Sequence, residues 1–126
     1  MEKYTKLTLD EMIRRKEQVM AAKKKPAKRE LYIESLDGVI TIAEQPRSVF
    51  ADIQEMSASE ADAYAILQGV VEPDLKKLAS EYGCAEPTEI VDIIFKAGEV
   101  GKISVAIAEI SGANSNTVTT VKDIKN

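Results

Sequence analysis

Between Gly69 and Gly112 the chain reads GVVEPDLKKLASEYGCAEPTEIVDIIFKAGEVGKISVAIAEISG, and helix breakers divide this stretch into short pieces. Pro73 and Pro87 stand where helices can begin, because a first turn does not use their missing N–H groups. Gly83 follows LASEY, where a left-handed residue ends a helix at least cost. Gly98 separates the next two segments and Gly112 closes the last. The punctuation predicts three short helices near 73–82, 87–96 and 99–111. No catalytic pattern falls within them, and the stretch reads as a helical module that presents a surface.

The remaining sequence is read around this module. A chain of 126 residues with 44% hydrophobic residues can build a core without metals or disulfides. Aromatics are few, so that core is mostly aliphatic. The single cysteine, Cys84, rules out an intramolecular disulfide and suits a reducing compartment. No histidine is present, which removes the commonest general base and the commonest metal ligand, and with them structural zinc. No apolar run approaches membrane-spanning length, and the N-terminus lacks an apolar signal core.

Charge is unevenly distributed. Residues 1–30 hold ten Lys and Arg against five Asp and Glu, a net of +5; residues 31–126 hold seven against sixteen, a net of −9. A basic arm precedes an acidic body.

Residues 8–25 are expected to form a helix. Thr8 and Glu11 have capping-box spacing, Leu9, Met12, Ile13, Val19 and Met20 give a partial apolar stripe, and Lys23–Lys25 complement the helix C-terminus before Pro26 stops it. The helix is too weakly apolar to be central; it is an arm, mobile or ordered against a partner. Residues 30–44 predict a β-hairpin turning at Asp37-Gly38, with Leu36 opposite Val39 and Ile33 opposite Ile42. This puts Leu31, Ile33, Ile40 and Ile42 on one buried face. Beyond Pro46, Val49, Phe50, Ile53 and Met56 have helical spacing. Ser57 and Glu60 form a second capping box that starts a helix running to about residue 70, with Ala61, Tyr64, Ala65 and Leu67 inward. In the last helix Val100, Ile103, Ile107 and Ile110 form a narrow apolar seam. The expected fold is α+β: a small, mostly helical domain of five to six short helices with one β-hairpin. Its parts are a basic helix or arm (1–29), a hairpin-plus-helix body (30–112) and a flexible polar tail (113–126).

The candidate chemistry is sparse. The cluster Lys23, Lys24, Lys25, Lys28 and Arg29 suits phosphate contacts, but no aromatic is interleaved with it and the body is acidic, so a solvated helix end is the better reading. Asp52, Glu55 and Glu60 could be paired as acid and base, yet such pairs stud any surface helix. Cys84 lies between Glu81 and Glu86, which disfavour a thiolate, and reads as a small packing residue. AGEVGKIS lacks phosphate-loop spacing. The seam Val100, Ile103, Ile107 and Ile110 has two readings: a ridge for a partner helix, or core packed against Leu78, Ile90 and Ile94. Elimination points to a binding protein with no catalytic residue, cofactor or metal.

The ordered set Gly69-Val70-Val71-Glu72-Pro73-Asp74-Leu75, Glu81-Tyr82-Gly83, Gly98-Glu99-Val100 and Glu109-Ile110-Ser111-Gly112 resembles the XkdN-like tail assembly chaperones of tailed phages, prophages and phage-tail-like bacteriocins. The closing Lys122-Asp123-Ile124-Lys125-Asn126 is similar to the short charged tails of that group. The resemblance implies a non-enzymatic protein of the bacterial host cytoplasm. Such a protein binds the tape-measure protein, keeps it soluble, helps recruit tail tube subunits through a longer frameshifted form, and is absent from the mature virion. An acidic, soluble exterior with several modest apolar contacts suits a long helical client. Val100, Ile103, Ile107 and Ile110 are the residues nominated for that contact. The rivals are a small DNA-binding regulator using residues 23–29, disfavoured because no helix supplies a recognition surface, and a structural tail protein that self-assembles. Free edges of the hairpin leave homo-oligomers open.

Overall fold

The computed structural model describes residues 4–113 and 118–121. Thr8 caps α1 (Leu9–Arg14), its Oγ1 accepting the Glu11 N–H at 3.2 Å. α2 (Lys16–Lys24) follows after a single residue, Arg15. The expected single helix is nearly continuous, because Arg15 N–H donates to Glu11 O and Val19 N–H to Arg15 O. The capping box closes only halfway. The Glu11 side chain does not return to the Thr8 N–H but accepts from both Arg14 and Arg15.

β1 (Lys28–Ile33) and β2 (Gly38–Ala43) form the expected antiparallel hairpin with a different closure. A 3₁₀ turn at Glu34–Leu36 and a left-handed Asp37 (φ 47°) make the connection, and Ile33 pairs with Gly38 and Leu31 with Ile40. Asp37 N–H donates to Glu34 O at 3.1 Å and Tyr32 Oη donates to Asp37 Oδ1 at 2.7 Å; these bonds hold a four-residue turn in place of the two-residue one. The register therefore differs by an even number of residues from the expected one. A period-2 strand keeps its faces under an even shift, so Ile33, Ile40 and Ile42 are buried as expected.

The helices of the body begin with α3 (Arg47–Ile53), shorter than its apolar spacing suggests, and α4 (Ala58–Gly69). Ser57 Oγ caps α4, accepting the Glu60 N–H at 3.3 Å and donating to Glu60 Oε1 at 2.8 Å. Ala65 and Leu67 are buried as expected; Ala61 and Tyr64 are half-buried, and Ala63, Ile66 and Gly69 complete the inner face.

A third strand, β3 (Val70–Glu72), lies beside β2 and makes a three-stranded antiparallel sheet of order β1-β2-β3. Three residues are too few to show a strand period, so tertiary pairing alone reveals it.

Next come α5 (Leu75–Glu81), α6 (Glu89–Ile94) and α7 (Ala97–Ile110), the three helices read from the punctuation. Three breakers act differently from expectation; Pro87, like Pro73, precedes the cap of its helix, which for α6 is Thr88. Pro73 precedes the cap, because Asp74 Oδ1 accepts the Lys77 N–H at 3.1 Å and so starts α5. Gly98 lies inside the first turn of α7; the break falls at Phe95-Lys96, where Glu99 Oε1 accepts the Lys96 N–H at 2.8 Å. Gly83 (φ 74°) and Gly112 (φ 82°) end α5 and α7 as expected. Each closes a Schellman motif: Gly83 N–H donates to Ser80 O and Cys84 N–H to Ala79 O, and Gly112 N–H donates to Glu109 O and Ala113 N–H to Ala108 O.

The core lies between the sheet and the helices. α7 packs on α4 and on the inner faces of β1 and β2, and α6 packs on α4, α5 and α7. Ile42, Ile66, Leu75, Ile90, Val91 and Ile107 are almost wholly removed from solvent. Most of the expected polar tail (113–126) lies outside the described residues.

Candidate functional site

The seam nominated from sequence is spent on this core. Ile103 is 3% and Ile107 1% exposed, while Val100 and Ile110 are half-buried against the same cluster. Ile103 and Ile107 therefore cannot serve as an open ridge in the folded chain. The reason is position: α7 runs between α4 and the sheet, and the inward stripe of a helix so placed is covered on both sides.

Much of the ordered motif set is structural too, although Val71 and Tyr82 stay exposed. Val70 is buried, Glu72 pairs with Thr41, Asp74 caps α5 and Leu75 is 1% exposed. Glu99 caps α7 and accepts the Ser35 hydroxyl at 3.0 Å, which ties the hairpin turn to the helix; these donors hold its carboxyl below the ordinary value of 4.5, the Lys96 N–H being the larger cause. Glu109 pairs with Arg29 at 3.3 Å across to β1. Ser111 Oγ donates to Ile107 O at 2.7 Å and accepts the Gln45 N–H at 2.9 Å, joining the end of α7 to the β2–α3 connection. The segment Glu109-Ile110-Ser111-Gly112 is thus a clasp that closes the fold.

Of the acidic residues weighed as catalytic pairs, Asp52 and Glu60 have structural partners and Glu55 is exposed. Asp52 Oδ2 accepts the Tyr64 hydroxyl at 2.8 Å, which raises the phenol above its ordinary value, and Glu60 accepts from Ser57. Cys84 is half-buried against the core. Among the described residues no group of three or more Cys, Asp or Glu could hold a metal ion, and no helix is long and apolar enough to cross a membrane. In the basic cluster Lys23, Lys24, Lys25 and Lys28 are exposed, and Arg29 engages Glu109.

The N-terminal arm carries a run of exposed apolar side chains that the folded body leaves uncovered. Neither α1 nor α2 buries a single residue. Leu9 is 77% exposed, Ile13 60% and Met20 55%, and Met12 and Val19 are also exposed. Met12, Ile13, Lys16, Val19 and Met20 line one shallow, open, apolar hollow on the arm. Their spacings place them along one side of the α1–α2 rod, so the partial stripe read from sequence is a continuous surface. Glu11, held below the ordinary carboxylate range by the Arg15 and then the Arg14 side chain, braces the joint between the helices. The arm leaves the body at a defined point: Ala27 N–H donates to Glu44 Oε1 and Glu44 N–H to Ala27 O, both at 2.8 Å. A smaller apolar group, Tyr32, Val39 and Val71, is exposed on strands of the sheet. The stripe is visible in sequence; what sequence does not show is that the body leaves it bare.

A sequence profile of the phage XkdN-like tail assembly chaperone proteins matches residues 6–125. No curated protein and no solved structure matches.

Proposed function

Because the chain belongs to the phage XkdN-like tail assembly chaperones, we propose that it binds the tape-measure protein and keeps it soluble while the tail is built. The observation that carries the reading is the bare stripe of Leu9, Met12, Ile13, Val19 and Met20 on helices that bury nothing. A tape-measure protein is a long helical client with apolar stripes, and an amphipathic helix pairs with such a stripe through anchors three and four residues apart. Two of the five anchors are methionines, whose unbranched, polarisable side chains adapt to varied partners. The acidic body stays solvated while the arm is engaged, which keeps the complex dispersed. No covalent step and no nucleotide is needed. Client release follows when tail tube subunits compete for the same apolar stripes, and a longer frameshifted form would bring those subunits close. The setting is the cytoplasm of the bacterial host, and the protein departs before the particle is finished.

The test is co-expression of the tagged chain with the long helical open reading frame encoded beside it. The expected result is a soluble complex, with the client precipitating when expressed alone. Ile13→Asp with Met20→Asp abolishes recovery of the client while leaving the circular dichroism of the body unchanged. A client that stays soluble alone and never co-purifies overturns the reading.

A further inference from the structure

A bare apolar stripe on a free protein invites aggregation unless something covers it. The charge pattern of the chain itself supplies a cover. On α2, Lys16 and Lys23 stand one turn to either side of Val19 and Met20, so a cation lies at each end of an exposed apolar centre. On the body, residues 80–95 carry Glu81, Glu86, Glu89 and Asp92 and no Lys or Arg. Within that acidic run Tyr82 and Ile93 are each 56% exposed. The run spans the end of α5, the turn through Gly83 and α6, so exposed apolar side chains and exposed anions share one stretch of the chain. The two surfaces are complementary in both polarity and charge, and in the folded chain its own arm does not cover the acidic one, since both sets of side chains are exposed.

We propose that the arm docks on the α5–α6 corner of a second copy of this chain, with Val19 and Met20 against Tyr82 and Ile93, and Lys16 and Lys23 facing Glu86 and Asp92. The arrangement is reciprocal: each copy lends an arm and receives one, giving a two-fold dimer with two equivalent contacts. The contact lies at the surface, so its ion pairs steer and select more than they bind, and salt weakens it. The proposal concerns the protein without any client and stands whether or not the client is a tape-measure protein. If it is, the client competes with the second copy for the arm.

Sedimentation velocity of the full chain alone tests it. The expected result is a dimer at low ionic strength that weakens as salt rises. Lys16→Glu with Lys23→Glu in one variant, and Glu86→Lys with Asp92→Lys in another, each weaken self-association by about tenfold or more, because arm and corner then carry like charge. Mixing the two variants restores the dimer, since the acidic arm of one meets the basic corner of the other and the converse contact is restored as well. All four residues are exposed, and circular dichroism monitors the fold. If a reversal perturbs the spectrum, Met20→Ser and Ile93→Ser take its place and are expected to weaken the dimer equally. A chain that is monomeric at every salt concentration, a dimer that survives either reversal, or a mixture that fails to reassociate overturns the proposal.

Discussion

A Cβ placed on Gly69 would stand 2.5 Å from Ile107 Cδ1, 2.9 Å from Cγ1 and 3.0 Å from Cγ2. Gly69 ends α4 and Ile107 lies near the end of α7, so the absence of a side chain at one residue sets how closely the two helices approach. Ile107 is 1% exposed and has little room to move aside. Gly69→Ala is expected to destabilise the fold by about 1–3 kcal/mol through overpacking. Ile107→Ala alone costs about 2–5 kcal/mol as a cavity. In the Ile107→Ala background the clashing atoms are gone, so adding Gly69→Ala costs almost nothing. Urea denaturation of the three variants and wild type measures this coupling; simple additivity would show that the contact is not as described.

The clasp at Ser111 predicts a second effect. Ser111→Ala removes the acceptor for the Gln45 N–H and a bond to Ile107 O. Stability should fall by about 1–2 kcal/mol, because a partly buried backbone donor loses its partner. Ser111→Thr keeps the hydroxyl and should recover most of the loss. Thermal melts of the two variants distinguish them, and an Ala variant as stable as wild type would remove the clasp from the account.

Two isoleucines separate core from surface. Ile103→Asp places a carboxylate where the side chain is 3% exposed and should destabilise by about 4 kcal/mol or more, enough to unfold much of the population. Ile13→Asp places one on the arm, at 60% exposure, and should leave the unfolding midpoint of the body within about 0.5 kcal/mol of wild type. Paired circular dichroism melts decide the point; equal damage from both would mean that the arm belongs to the core.

Acid should loosen the join between hairpin and α7. The folded protein holds the Glu99 carboxyl below its ordinary value of 4.5, so folding favours the ionised form. The contribution is fully present above 4.5 and is lost as pH falls through the lowered value, where the folded state must also take up the proton. Wild type should melt above Glu99→Gln at neutral pH, and the gap should narrow below pH 4.5. A gap that stays constant down to strongly acidic pH would show that the carboxylate is not the source of the difference.

Much of this fold is legible in the residues themselves, and the reason is local. Thr8, Ser57, Gly83 and Gly112 act within one turn of their own helix, through a cap or a left-handed residue, and each does what its neighbours predict. The hairpin's buried face is legible because alternation survives an even change of register, while its turn is not, because Tyr32 and Asp37 settle it through a side-chain bond. β3 is invisible in sequence because three residues have no period, and Pro73 and Gly98 mislead because Asp74 and Glu99 offer better caps nearby.

The site divides along the same line. Sequence alone determined that the chain has a basic amphipathic arm, an acidic α+β body, an apolar seam from Val100 to Ile110 and the motifs of its family. An apolar stripe, however, states only that a face avoids water and not what will cover it. Only tertiary structure decided that α4 and the sheet cover Ile103 and Ile107, while nothing in the body covers Ile13 and Met20. Burial depends on which elements meet in space, and that is what decides for Ile103 and Ile107 between the two readings of the seam, in favour of core.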